Sequence, residues 1–211
     1  MSDPQPLTDV LADDASRVSP HWAWWLIAGL LCLAPAIWAG DAPFQQDEAM
    51  LIHKAATANA ADTWETIGLL GSKGRQYGPL PTWIYQVGLS ATTDLVTLVR
   101  VRAVLVFAIT IGAIAWIARL LKISGAWVLL VAASPYLFIY ARQLWDNSFN
   151  IPLAAIAAAL TLHAILRRTL WPLPALALVM GSMLLIHPMS LPTSGAVIAT
   201  LAIWGRRTFA G

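Results

Sequence analysis

The sequence predicts an all-α protein: a polytopic bundle of about six transmembrane helices, with one outer-face loop that carries short amphipathic helices. Three observations lead there. Hydrophobic residues make up 58% of the 211 residues and charged ones 11%, and the mean hydropathy is +0.66, values that bilayer solvation explains and that soluble domains seldom reach. The apolar residues gather into separate runs, several of them near the roughly 20 residues a helix needs to cross a membrane. The charges fall between those runs and at their ends.

Residues 1–20 are polar, with Asp3, Asp9, Asp13 and Asp14 against a single Arg17, and are expected to form a mobile cytoplasmic tail. The first span is expected over Trp22 to Trp38, anchored by Trp22, Trp24 and Trp25 at the interface. A cleavable signal peptide fits less well, because the preceding segment is acidic where a basic n-region is needed, and Ile37-Trp38-Ala39 is a poor cleavage site.

Residues 41–81 form a mixed polar loop. Asp47 is placed to cap a short helix from about Glu48 to Ala60. Asp62-Thr63-Trp64-Glu65 reads as a second helix start with a reciprocal cap, broken again by Gly71-Ser72-Lys73-Gly74. Tyr77-Gly78-Pro79-Leu80-Pro81 is too rich in proline to continue a helix, and the apolar residues from Leu80 to Leu89 are too few to cross a bilayer, so this piece is expected to be re-entrant or interfacial. Further spans are expected over Leu98 to Leu120, Ala126 to Tyr140, Asn147 to Leu166, Trp171 to Ile186 and Leu191 to Trp204, the second and last being short.

Basic residues set the orientation. Arg119 and Lys122, Arg167 and Arg168, and Arg206 and Arg207 share one side if the chain crosses once per span, and that side is expected to be cytoplasmic. Lys54, Lys73, Arg75, Arg100, Arg102 and Arg142 then lie outside with the whole 41–81 loop, Asp146 and His187. The expected location is the inner (plasma) membrane, multi-pass, with the working surface on the extracytoplasmic face. No Lys/Arg cluster suited to nucleic acid is present, and the single cysteine, Cys32, excludes an intrachain disulfide framework.

The candidate chemistry lies on that outer face. Asp47 and Glu48 have two readings: carboxylates favoured at a helix N-terminus, or a general base that takes a proton from an attacking hydroxyl or amine. Arg142, four residues before Asp146, is either half of an interfacial ion pair or a phosphate ligand oriented by that acid. Arg100 and Arg102 are snorkelling anchors or holders of a lipid phosphate. His187 is a polar cap or a weak ligand candidate, and Tyr77, with Trp64, Trp83 and Tyr85, has the ring to stack on a sugar. A divalent metal site from Asp47, Glu48, His53 and His187 stays open, without any HExxH or comparable spacing behind it.

Taken in order, these residues resemble the integral-membrane glycosyltransferases of the GT-C class, of the protein O-mannosyltransferase and aminoarabinose-transferase type. Gln46-Asp47-Glu48-Ala49 is similar to the acidic pair after the first transmembrane helix of that family. Gly78-Pro79-Leu80-Pro81-Thr82-Trp83-Ile84-Tyr85 is similar to its Pro-Leu-aromatic segment, Arg100 or Arg102 to the Arg that begins its next helix, and Ser134-Pro135 through Arg142 and Asp146 to its Ser-Pro, aromatic, Arg, acid pattern. The Lys that often precedes the Pro-Leu segment is absent; Tyr77-Gly78 stands there, with Lys73 and Arg75 nearby.

The resemblance covers roughly residues 22 to 200. It implies a polyprenyl-phosphate sugar as donor, transfer at the extracytoplasmic face with Asp47 as the base, catalytic support from Glu48, and donor or substrate contacts from Arg100, Arg102, Arg142, Asp146, Tyr77 and His187, with no cofactor required. Members of the class usually continue through several more helices, so the alternative expectation is a non-catalytic subunit that binds the lipid-linked sugar beside a partner supplying C-terminal helices. A transporter is disfavoured, because the charges sit at span ends rather than within spans, His163 excepted.

Overall fold

The architecture comes from a computed structural model, which describes residues 21–41, 46–71 and 74–205. The expected cytoplasmic tail, Gln45, Lys73 and the Arg206-Arg207 pair lie outside the described residues. Among the described residues the protein is all-helical; extended pairing is limited to one antiparallel bridge between Leu70 and Gln76.

Helix α1 spans His21–Ile37 and α2 spans Gln46–Ala60. Leu80–Ala91 form α3, and Leu95–Leu121 form α4, the longest helix. Two short helices follow, α5 over Ala126–Ala132 and α6 over Pro135–Arg142. After a 3₁₀ turn at Asp146–Phe149 come α7 (Asn150–Arg167) and α8 (Pro172–Ile186), then a second 3₁₀ turn at Pro188–Ser190 and α9 (Leu191–Thr200). α4 is the central helix. It packs against α1, α5, α6 and α7, while α8 covers another side of α7 and α2 lies along α3.

Local chemistry sets the helix ends. The Asp94 carboxylate accepts the amides of Val96 and Thr97 and so caps α4. Lys122 ends that helix in the left-handed conformation at φ 56°, and Arg168 ends α7 at φ 50°. Ser134 caps α6 with its side-chain oxygen, and Pro135, which has no N–H to lose, fits its first turn.

That Ser-Pro pair corrects one expectation. The span expected over Ala126 to Tyr140 is two helices of seven and eight residues, roughly 10 and 12 Å long, and neither reaches across a hydrocarbon core of about 30 Å. Among the described residues, the segments long and apolar enough to cross a membrane are Leu95–Leu121 and Asp146–Arg167, with Trp22–Ile37 and Pro172–Ile186 as shorter apolar helices.

A second correction concerns Asp62-Thr63-Trp64-Glu65, which starts no helix. Asp62 takes a left-handed φ of 52° just past the end of α2, and the chain then runs irregularly to the Leu70–Gln76 bridge. Tertiary hydrogen bonds replace the expected cap. The Gln86 side chain of α3 accepts from the Glu65 amide at 3.2 Å and donates to the Thr63 carbonyl at 2.8 Å. The Trp83 indole donates to the Glu65 carbonyl at 2.6 Å, and the Glu65 carboxylate pairs with Lys54 at 3.1 Å. Among the described residues of 41–81, the segment before α3 therefore holds α2 and a strap tied down by α3.

Candidate functional site

One end of the bundle collects the residues that the sequence singles out. A buried cluster there joins Leu51, Ile52 and Ala55 of α2, Leu69 of the strap, Tyr85 of α3, Leu98 and Val99 of α4, Leu144 and Phe149 near the 3₁₀ turn, and Ile186 at the end of α8. Each polar candidate except Arg142, whose helix α6 packs in a second buried cluster with α1, α4 and α5, hangs from an element anchored in that cluster.

Asp47 lies in the first turn of α2 and is exposed, whereas its neighbour Glu48 is buried at 1% relative exposure. The adjacent carboxylates thus differ in environment. Asp47 is available to an incoming molecule, and Glu48 faces the cluster. Asp47 and Asp146 both act on Tyr77: burial first, then these two negative charges, raise the phenol above its ordinary range. The Tyr77 ring in turn stands 4.1 Å, centroid to centroid, from the His187 imidazole. Asp47, Tyr77, Asp146 and His187, spread over 140 residues of sequence, therefore share one neighbourhood.

Close backbone packing fixes Tyr77. Its amide donates to the Leu69 carbonyl and its carbonyl accepts from the Gly68 amide, both at 2.9 Å. Gly78 lies against the backbone of Leu185, and a Cβ there would fall on the Leu185 carbonyl. Glycine at 78 is what lets the loop reach the end of α8, next to His187. That histidine ends α8, and its Nδ1 accepts the Met189 amide at 3.0 Å. Burial lowers its pKa, so the neutral imidazole that makes this bond is favoured.

Among the described residues, Arg102 is the most deeply placed cation, at 5% relative exposure. One terminal nitrogen donates to the Ala141 carbonyl at 2.9 Å; the other donates to the Trp145 carbonyl at 3.3 Å and to the Ser148 hydroxyl. Its carbon lies 4.5 Å from the centre of the Phe149 ring. Arg102 thus braces the segment that presents Asp146, which is itself buried at 2% exposure and accepts the Asn147 amide at 2.7 Å. Tyr85 completes the brace by donating its hydroxyl to the Leu144 carbonyl at 2.8 Å.

The other two arginines turn toward α1. Arg100 Nε donates to the Ala36 carbonyl at 3.2 Å, and an Arg142 terminal nitrogen donates to the Trp38 carbonyl. Both satisfy carbonyls at and just beyond the C-terminal end of α1, where cations are favoured. Arg142 lies over the Phe138 ring at 5.1 Å and makes no ion pair with Asp146. Arg102 and Arg142 each keep one buried Nε–H without a hydrogen-bond partner.

An apolar cavity of about 470 Å³ opens beside this brace, between α3, α4, α7 and α8, with Tyr85, Arg102 and Phe149 in its wall and Val101, Leu105, Ile109 and Ile156 further along. Among the described residues no group of three or more His, Cys, Asp and Glu side chains is placed to hold a metal ion. His53 lies instead with Lys54 and Glu65 along a separate groove at α2.

Sequence reasoning missed the Gln86 network and the structural work of Tyr85. A signal for the former was present: Thr82, Gln86 and Ser90 recur every four residues in an otherwise apolar helix, and all three lie on one face. Ser90 donates to the Gln86 carbonyl at 2.8 Å, and Asn59 of α2 donates to the same carbonyl at 2.9 Å. No known protein family, characterised protein or solved structure matches the chain.

Proposed function

We propose that this protein is a membrane glycosyltransferase that takes a sugar from a polyprenyl-phosphate donor and transfers it to an acceptor at the extracytoplasmic face of the inner membrane. The observation that carries the reading is a juxtaposition. An exposed carboxylate, Asp47, shares one end of the bundle with Tyr77 and Asp146, and the same end holds an apolar cavity with a buried arginine in its wall. A lipid-linked phosphosugar has those three parts: an apolar chain, an anion and a polar ring.

In this reading the prenyl chain lies in the cavity between α3, α4, α7 and α8. The buried Nε–H groups of Arg102 and Arg142, which have no acceptor within the protein, donate to phosphate oxygens; such charge-assisted bonds are the strong ones. Arg100 adds positive charge at the same end. Asp47 takes the proton from the acceptor hydroxyl as that oxygen attacks the anomeric carbon. The bond from the anomeric carbon to the phosphate oxygen breaks, and the polyprenyl phosphate leaves with the electron pair. Glu48, buried beneath Asp47, and Tyr77, His187 and Asp146 hold the geometry around the reacting centre.

The orientation belongs to the same proposal. α4 and α7 are long and apolar enough to cross a membrane; in this reading the shorter apolar helices α1 and α8 cross as well, α5 and α6 cross together end to end, and α9 completes the bundle. Arg119, Lys122, Arg167 and Arg168 mark the cytoplasmic side. Transfer of radiolabelled sugar from a polyprenyl-phosphate donor to endogenous acceptors in membrane vesicles tests the reading. Asp47→Asn is expected to abolish transfer at unchanged protein level, and unchanged turnover in that variant sinks it.

A further inference from the structure

A second cavity, of about 310 Å³, lies at the same end of the protein between the end of α6, the Asp146–Phe149 turn, the start of α7 and the turn that leads into α9. Among the described residues, no Asp, Glu, Lys, Arg or His lines it. An ion entering it would lose water with no counter-charge in return, so an uncharged ligand is favoured. Two aromatic side chains line it, Tyr140 and Trp145, with ring centres 6.5 Å apart and planes inclined by 33°.

Asn147, Asn150 and Thr193 supply polar groups that both donate and accept. The hydroxyls of Ser148 and Ser190 are already committed, to the Gln143 and His187 carbonyls. The Asn150 side-chain oxygen is different: it is buried and has no hydrogen-bond partner within the protein. A buried amide oxygen in that state costs roughly 1–3 kcal/mol unless something donates to it, and Asn150 is one of the residues that line the cavity. Ile151, Ala154 and Met183 make the rest of that wall apolar.

We infer that this cavity binds one neutral sugar unit. A pyranose ring has the required duality: faces of C–H groups that pack on Tyr140, Trp145 and Met183, and an edge of hydroxyls that donate to Asn150 and exchange hydrogen bonds with Asn147 and Thr193. The volume is at the small end of the range of about 300–1,000 Å³ for ligand pockets, which suits a single ring rather than a long chain. Trp145 and Asn147 flank Asp146 in sequence, so the site adjoins the acids of the candidate centre. If the proposed transfer holds, the acceptor's terminal sugar sits here; sugar binding itself stands without that reading.

Saturation-transfer NMR on the purified full chain in a sugar-free zwitterionic detergent tests this, with methyl α-mannoside, methyl β-glucoside and methyl β-galactoside as neutral probes and glucose 6-phosphate as the charged one. The expected result is transfer to the ring protons of at least one neutral glycoside and none to the phosphate. Trp145→Ala and Asn150→Leu each weaken binding about tenfold, the effect of losing one stacking surface or one good hydrogen bond. Thr193→Val keeps its shape, removes one hydroxyl and gives the same direction of change should either larger substitution fail to fold. Asp47→Asn leaves sugar binding intact, even if it abolishes transfer. The inference is overturned if the folded chain binds none of the three glycosides, or if binding survives in the Trp145 and Asn150 variants.

Discussion

The guanidinium of Arg102 donates to the carbonyl of Ala141 at 2.9 Å, across 39 residues of sequence, and so ties the second turn of α4 to the last turn of α6. The same side chain reaches Trp145 and Ser148, and the segment that carries Asp146 hangs between those attachment points. A residue that the sequence marks as a phosphate holder is also the brace of the site.

Loss of that brace is costly. Arg102→Leu leaves the Ala141 carbonyl without its donor in a buried setting and cuts the ties to Trp145 and Ser148, and is expected to destabilise the protein by about 3 kcal/mol. Arg102→Lys does not restore it, because one ammonium cannot span the positions that the planar fork reaches. Thermal unfolding in detergent, followed by circular dichroism, checks both; a lysine variant as stable as the native chain would show that the fork geometry is dispensable.

Gly78 and Gly181 make a paired prediction. A Cβ at 78 meets the Leu185 backbone, whereas one at 181 meets nothing within 4 Å. Gly78→Ala is expected to destabilise by about 1–3 kcal/mol through overpacking and to displace Tyr77 from His187. Gly181→Ala, within α8, is expected to gain up to about 1 kcal/mol from helix propensity. The two melting shifts should have opposite signs.

His187 gives the fold a pH dependence of known sign. Burial depresses its pKa, and protonation of Nδ1 would destroy the bond from the Met189 amide. The unfolded chain takes up the proton near the ordinary value of about 6.5, before the folded chain does. This contribution is therefore present in full above that pH and is lost as pH falls through the lower folded value. Melting temperatures between pH 8 and pH 5 should fall more steeply in the native protein than in His187→Asn, which keeps an acceptor for the amide and does not titrate.

Much of the helical pattern was legible because bilayer-length apolar runs and strong punctuation coincide. Asp94 before α4, and the Pro172 that opens α8, mark boundaries that need no tertiary information. The division at Ser134-Pro135 was written in the sequence too, since a proline inside an apolar run starts a new helix as readily as it bends an old one. The Asp62 segment was not legible. Its local signal is a sound capping box, and what overrides it is a glutamine 21 residues later that pairs with the Glu65 amide. The convergence of Asp47, Tyr77, Asp146 and His187 followed from counting crossings, whereas the difference in burial between Asp47 and Glu48 follows only from how α2 rolls onto α3. The Tyr140 and Trp145 cavity carried no motif, because its residues come from α6, α7, α8, α9 and the turns between them and its defining feature is the absence of charge.

Donor binding is the measurement that bears most directly on the account. Radiolabelled polyprenyl-phosphate sugar is titrated onto the purified, detergent-solubilised chain, and native protein is compared with Arg142→Ala at the candidate end and Arg167→Ala at the other. The account predicts saturable binding that is weakened about tenfold or more by Arg142→Ala, the cost of a charge-assisted bond, and unchanged by Arg167→Ala. A folded native chain that binds no donor, or one whose binding is indifferent to Arg142, would contradict it.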